Sequence, residues 1–97
     1  MIVFEDMWAR MKELARTGKE FSTIGGRTIF HPRLIAGVIE IDSMKAKGIQ
    51  KITKESAKEN YDIFVKLKPQ ERYNTSHYRQ TWNKVYVLRF FKEILRE

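Results

Sequence analysis

Ninety-seven residues without a cysteine exclude a disulfide framework, thiolate zinc sites and a cysteine nucleophile, and they suffice for one domain, residues 1–97, around a single core. The formal net charge of +7 is carried wholly by the second half: residues 1–42 hold six basic and six acidic side chains, residues 43–97 thirteen and six. That imbalance points to a polyanionic partner, because each Lys or Arg set against a phosphate releases condensed counterions.

Glu5, Asp6 and Arg10 interrupt the apolar start Met1 to Phe4, so no signal peptide is expected, and no apolar stretch reaches membrane-spanning length. A cytoplasmic protein with no membrane contact is the expectation. Phe4, Met7, Trp8, Met11, Leu14 and Ala15 recur at helical steps and predict an amphipathic helix that stops near Thr17-Gly18. A meander follows. Glu20 to Ile24 and Thr28 to Leu34 read as extended segments joined by a two-residue hairpin signal at Gly25-Gly26, and Pro32 marks the second as edge-like. Ile35-Ala36-Gly37 reads as a turn, Val38 to Asp42 alternates as a half-buried strand, Ser43 to Gly48 is a basic turn, and Ile49 to Ile52 is a short fourth strand. Any register that sets Phe30 inward opposite Ile39 or Ile41 puts His31 and Arg33 on the outer face, near Glu40 and Asp42.

Thr53 is placed to cap a second helix whose inner face is Ala57, Tyr61, Phe64, Val65 and Leu67 and which Pro69 ends. Gln70 to Asn74 form a polar connection. The stretch from Thr75 to Arg96 then reads as one long helix with an apolar stripe that includes Tyr78, Trp82, Val85, Leu88, Phe91 and Leu95. The fold class is therefore α+β: an N-terminal helix, a three- or four-stranded antiparallel meander and two C-terminal helices, loosely like a winged helix.

No phosphate-binding glycine loop, paired-histidine zinc motif or calcium loop is present, so no catalytic residue, metal or cofactor is assigned. The functional signal lies in the first half of the last helix. Ser76, Arg79, Gln80 and Asn83, with Lys84, fall within one polar arc, and Arg, Gln and Asn are the side chains that pair with purine edges in a major groove. Lys51, Lys54, Lys58, Lys66, Lys68, Arg72 and Tyr73 precede that arc and are suited to phosphate contacts. Tyr73 and Tyr78 are read as surface rings, the other aromatics as core. The expectation is a small, basic, non-enzymatic nucleic-acid-binding protein, with DNA ahead of RNA as partner. A homodimeric assembly module, completed by the broad apolar last helix, is the alternative.

Two resemblances bear on this reading. The run Trp8 through Phe21-Ser22-Thr23-Ile24-Gly25-Gly26-Arg27, with Ile52-Thr53-Lys54 and a closing aromatic-aliphatic helix, is similar to small modules associated with restriction-type and mobile-element DNA proteins. That similarity implies a DNA-handling context and carries no residue over. The chain also resembles HicA-type RNA-cleaving toxins, which share a helix, a glycine-punctuated hairpin with a histidine, and a following helix, and this resemblance implies RNA cleavage as a second alternative function. In that family the histidine follows a Gly-Ser pair directly, whereas here Arg27 follows Gly25-Gly26 and His31 comes five residues after Gly26.

Overall fold

A computed structural model of the chain describes residues 2–43, 49–78 and 83–97. Helix α1 spans Phe4–Thr17 and buries Met7, Trp8, Met11 and Ala15, one stripe at three- and four-residue steps. It stops where predicted. Gly18 takes a left-handed φ of 71° and donates its N–H to the Ala15 carbonyl at 3.2 Å, a conformation that glycine adopts without a Cβ clash.

Strands β1 (Phe21–Ser22), β2 (Ile29–Ile35), β3 (Val38–Ser43) and β4 (Gln50–Ile52) form an antiparallel sheet in chain order. The register pairs Pro32 with Ile41, Leu34 with Ile39, and Ile39 with Ile52, so the odd and even positions separate cleanly. Phe30, Ile39, Ile41 and Ile52 are fully buried on the inner face. Phe30 lies opposite Ser43 and not opposite Ile39 or Ile41 as expected, yet the parity inferred from sequence holds: His31 pairs with Asp42 and Arg33 with Glu40 on the outer face. Pro32 sits in a seven-residue strand without disrupting it, because β1 reaches β2 only at Ile29 and Phe30. Beyond that point β2 is an edge on the β1 side, where a missing N–H costs no ladder bond.

The two-residue hairpin falls at a different pair from the one predicted. Between β1 and β2 the chain makes a longer turn, closed by Thr23 N–H to the Thr28 carbonyl (2.8 Å) and Gly26 N–H to the Thr23 carbonyl (2.7 Å). The tight connection is Ala36-Gly37, with φ of 50° and 77°. Both values are positive, as a hairpin matched to the twist of its strands requires. The basic turn predicted at Ser43 to Gly48 has residues 44–48 outside the described residues.

Helix α2 (Lys54–Lys66) opens on the predicted cap: Thr53 Oγ1 accepts from Ser56 N–H (3.1 Å), and Ser56 Oγ accepts from Thr53 N–H (3.0 Å). Its buried residues are Ala57, Asn60 and Phe64, with Tyr61 half-buried, whereas Val65 is exposed. The inner stripe is therefore centred on Asn60, which the sequence reading left out as polar.

The last helix is shorter than predicted. Thr75–His77 form a single 3₁₀ turn capped by Asn74, Tyr78 leaves helical geometry at φ −114° and ψ 49°, and helix α3 runs from Lys84 to Leu95. Trp82, predicted to be the centre of the stripe, lies outside the described residues. Helix α3 buries Val87, Leu88, Phe90 and Phe91, and its other apolar residues Val85, Tyr86, Ile94 and Leu95 are half-buried. An uncovered apolar helix, the motive for expecting a homodimer, is thus not found in α3. The inner side of the sheet, α1, α2 and α3 share one continuous core. No helix among the described residues is long and apolar enough to cross a membrane.

Two stability measurements check this packing. Ala36 is one of two non-glycine residues with positive φ among those described. Ala36→Gly removes a left-handed Cβ clash at the cost of a more flexible unfolded chain, so a gain of roughly 0.5–1 kcal/mol and a higher Tm are expected. An unchanged or lower Tm would show that the turn is not strained there. Asn60 donates to the Asn83 side-chain carbonyl at 3.1 Å and to the Ser56 carbonyl at 2.8 Å while fully buried. In urea unfolding, Asn60→Ala should cost roughly 1–3 kcal/mol, since it strands a buried acceptor.

Candidate nucleic-acid interface

The sequence-predicted contact residues do not form one face. Asn83 is 1% exposed, and its amide is committed to the interior, accepting from Asn60 Nδ2 and donating to Ser56 Oγ at 2.9 Å. It is therefore corrected from a base-reading residue to a buried link between α2 and α3. Ser76 is exposed, but its hydroxyl donates to Asn74 Oδ1 at 2.7 Å within the 3₁₀ turn. Arg79 and Gln80 lie outside the described residues. Lys84 opens α3 and is partly exposed. The arc drawn on one continuous helix is accordingly not a single helical surface.

The lysines divide among three places. Lys51 is on the outer sheet face opposite Glu40, which Arg33 also approaches at 3.7 Å. Lys54 is 2.9 Å from Glu5, and Lys58 is 2.5 Å from Asp62 while resting over the Phe4 and Tyr61 rings. These cations face carboxylates, and exposed pairs of this kind contribute little to stability and lower the local positive potential. His31 shares the outer face, its Nε2 3.5 Å from Glu20 and its backbone opposite Asp42. Two neighbouring carboxylates make that histidine a poor place for an RNA phosphate.

The connection between α2 and α3 differs. Lys66 ends α2, Lys68 precedes a 3₁₀ turn at Pro69–Glu71, and Arg72 and Tyr73 follow it. Among the described residues none of Lys66, Lys68, Arg72 and Lys92 forms an ion pair. Instead the Arg72 guanidinium lies 5.1 Å from the centre of the Phe64 ring and Lys92 5.7 Å from that of Tyr73, and the two rings meet edge to face at 5.6 Å. Arg72 Nε is buried without a hydrogen-bond partner, and the buried Tyr73 Oη lies within reach of the Glu97 carboxylate. Glu71, the carboxylate within this stretch, is 3.5 Å from His77.

Sequence reading missed Lys92. Its signal was the spacing of Arg89, Lys92 and Arg96, which places three basic residues along one side of the last helix. Tyr78, expected at the surface, is fully buried and donates to the Arg72 carbonyl at 2.6 Å, so it anchors the connection from beneath.

Burial raises the pKa of both Tyr73 and Tyr78 well above the tyrosine range, with the Glu97 charge adding to it at Tyr73 and Tyr73 itself adding to it at Tyr78. The folded chain then keeps two phenolic protons that the unfolded chain loses above about pH 10, so stability should hold below that pH and fall above it. A tyrosine absorbance titration should show Tyr73 and Tyr78 ionising only as the chain unfolds. Ordinary titration of both in a chain that stays folded would refute their burial.

No known protein family, curated protein or solved structure matches the chain.

Proposed function

We propose that this chain is a nucleic-acid-binding protein, with DNA as the first candidate partner, that grips the phosphate backbone along the connection between α2 and α3. The observation that carries the reading is the pair Arg72 and Lys92, two cations laid on the Phe64–Tyr73 rings, neither of which forms an ion pair among the described residues, although the Glu97 charge reaches Tyr73. A cation held over a ring keeps its full charge, and its side chain is already ordered before an anion arrives. Ordering in advance lowers the entropy lost on binding. Lys66 and Lys68 extend the same basic stretch.

Contacts of this type position a nucleic acid and do not read its sequence. Duplex DNA, single-stranded DNA and RNA, each titrated at two salt concentrations, should bind more weakly as salt rises, and the comparison separates DNA from RNA. Arg72→Ala and Lys92→Ala should each weaken binding to all sequences alike and reduce the magnitude of the log–log salt slope by roughly 0.9 for duplex or 0.7 for single strands. Binding that is absent at low salt, or unaffected in the Arg72→Glu/Lys92→Glu double variant, would overturn the reading.

A further inference from the structure

We propose that the outer face of the sheet is the contact surface for a second copy of this chain, the two sheets stacking about a two-fold axis that runs parallel to the strands between β2 and β3. The helices share their core with the inner face, whereas β2 alternates so strictly that Ile29, His31, Arg33 and Ile35 all stand exposed on the other. Ile29 and Ile35 are 41% and 47% exposed, and Ile49, two residues before Lys51, is 55% exposed. Single exposed apolar residues are ordinary, but these three stand on one open sheet face.

Charge says what covers that face. From β1 to β4 the outward side chains change sign strand by strand: Glu20 immediately before β1, His31 and Arg33 on β2, Glu40 and Asp42 on β3, Lys51 on β4. A two-fold axis parallel to the strands reverses that order while keeping each row level, so β2 of one copy lies over β3 of the other, and β1 over β4. Acidic columns then meet basic ones throughout. Row by row, Arg33 stands over the second copy's Glu40, His31 over its Asp42 and Ile35 over its Val38, because these residues are already opposite one another within the sheet. An isologous contact has to be self-complementary, and signs that alternate over an even number of strands have that property. Sheets packed face to face lie within about 30° of one another, which keeps the middle rows together.

The pairs within one chain leave donors and acceptors for this contact. His31 is 3.5 Å from Glu20 and Arg33 3.7 Å from Glu40, longer than the roughly 2.7–2.9 Å of a direct charge-assisted hydrogen bond. Elsewhere a net charge of +7 opposes self-association, whereas here Glu20, Glu40 and Asp42 balance His31, Arg33 and Lys51. Joining edge to edge is disfavoured: Pro32 leaves the free edge of β2 a donor short, and β4, three residues long, would bring two Lys51 side chains together. Strands spaced about 4.8 Å and rising about 3.4 Å per residue make a face of about 19 by 24 Å, small for a permanent dimer, so the association is reversible. Arg72 and Lys92 do not belong to this face, so dimerisation and nucleic-acid binding stand or fall separately.

The test is sedimentation equilibrium of the whole chain from about 1 μM to 1 mM, with circular dichroism and Tm to confirm that each variant is folded. The parent should pass from monomer to dimer over that range. Arg33→Glu and Glu40→Arg each set like charges against one another twice in the symmetric dimer, and each should raise the dissociation constant roughly tenfold or more. An equimolar mixture of the two variants should recover the dimer, because the two substituted positions face one another and the unaltered Arg33 and Glu40 do so as well. The Arg33→Glu/Glu40→Arg double variant should dimerise alone for the same reason. A parent that stays monomeric throughout overturns the proposal and leaves the face to a different partner. A dimer that survives either single variant, or a mixture that stays monomeric, overturns it too.

Discussion

Two consecutive residues of α3, Phe90 and Phe91, join the halves of the molecule. Neighbours on a helix point about 100° apart, so one helix can address two surfaces at once. Phe90 meets Phe21 at 5.6 Å and Phe30 at 6.1 Å on the sheet, while Phe91 meets Phe64 at 5.1 Å and Tyr61 at 6.3 Å on α2. Both are fully buried, and truncating a phenylalanine in such a position costs about 3–5 kcal/mol. Helix α2 packs on α1 and α3, so the aromatic step from sheet to α3 to α2 governs how the rest of the chain must be arranged.

Once α3 is seated, the position of its first turn follows. Asn83 arrives over α2 next to Asn60, and the two amides must satisfy one another because neither can reach water. Ser56 completes the set, serving both the α2 cap and Asn83. Asn60 Oδ1 remains buried without a partner, so the network is a means of fixing position more than a source of net stability. It also has a consequence at the helix start: an asparagine used inside makes no capping bond to α3.

Charge is distributed by the same packing. On the outer sheet face and along the α1–α2 seam, basic side chains stand next to Glu40, Glu5 and Asp62 and are largely neutralised. Along the connection they stand on aromatic rings. Among the described residues Arg72 and Lys92 are thus left without an ion pair, a distinction that the count of cations in the second half of the chain does not make.

Local periodicity made much of the fold legible in the sequence. The helical stripe from Phe4 to Ala15, the stop at Gly18, the cap at Thr53 and the in–out alternation that sends His31 outward each depend on residues within a few positions of one another, and each stands as read. The charge asymmetry was legible for the same reason. What only the tertiary structure decided are the matters that depend on residues far apart in the chain. The stretch from Thr75 to Arg96 has helical periodicity throughout, yet its helix begins at Lys84 among the described residues, with Tyr78 drawn under the connection by its bond to Arg72 and Asn83 drawn inward by Asn60. Likewise Lys58 and Lys92 are the same residue type and each rests over a tyrosine ring, but among the described residues only Lys58 also meets a carboxylate, that of Asp62. Composition can count cations; which of them lack a carboxylate neighbour is settled by packing, because pairing is a matter of distance in space.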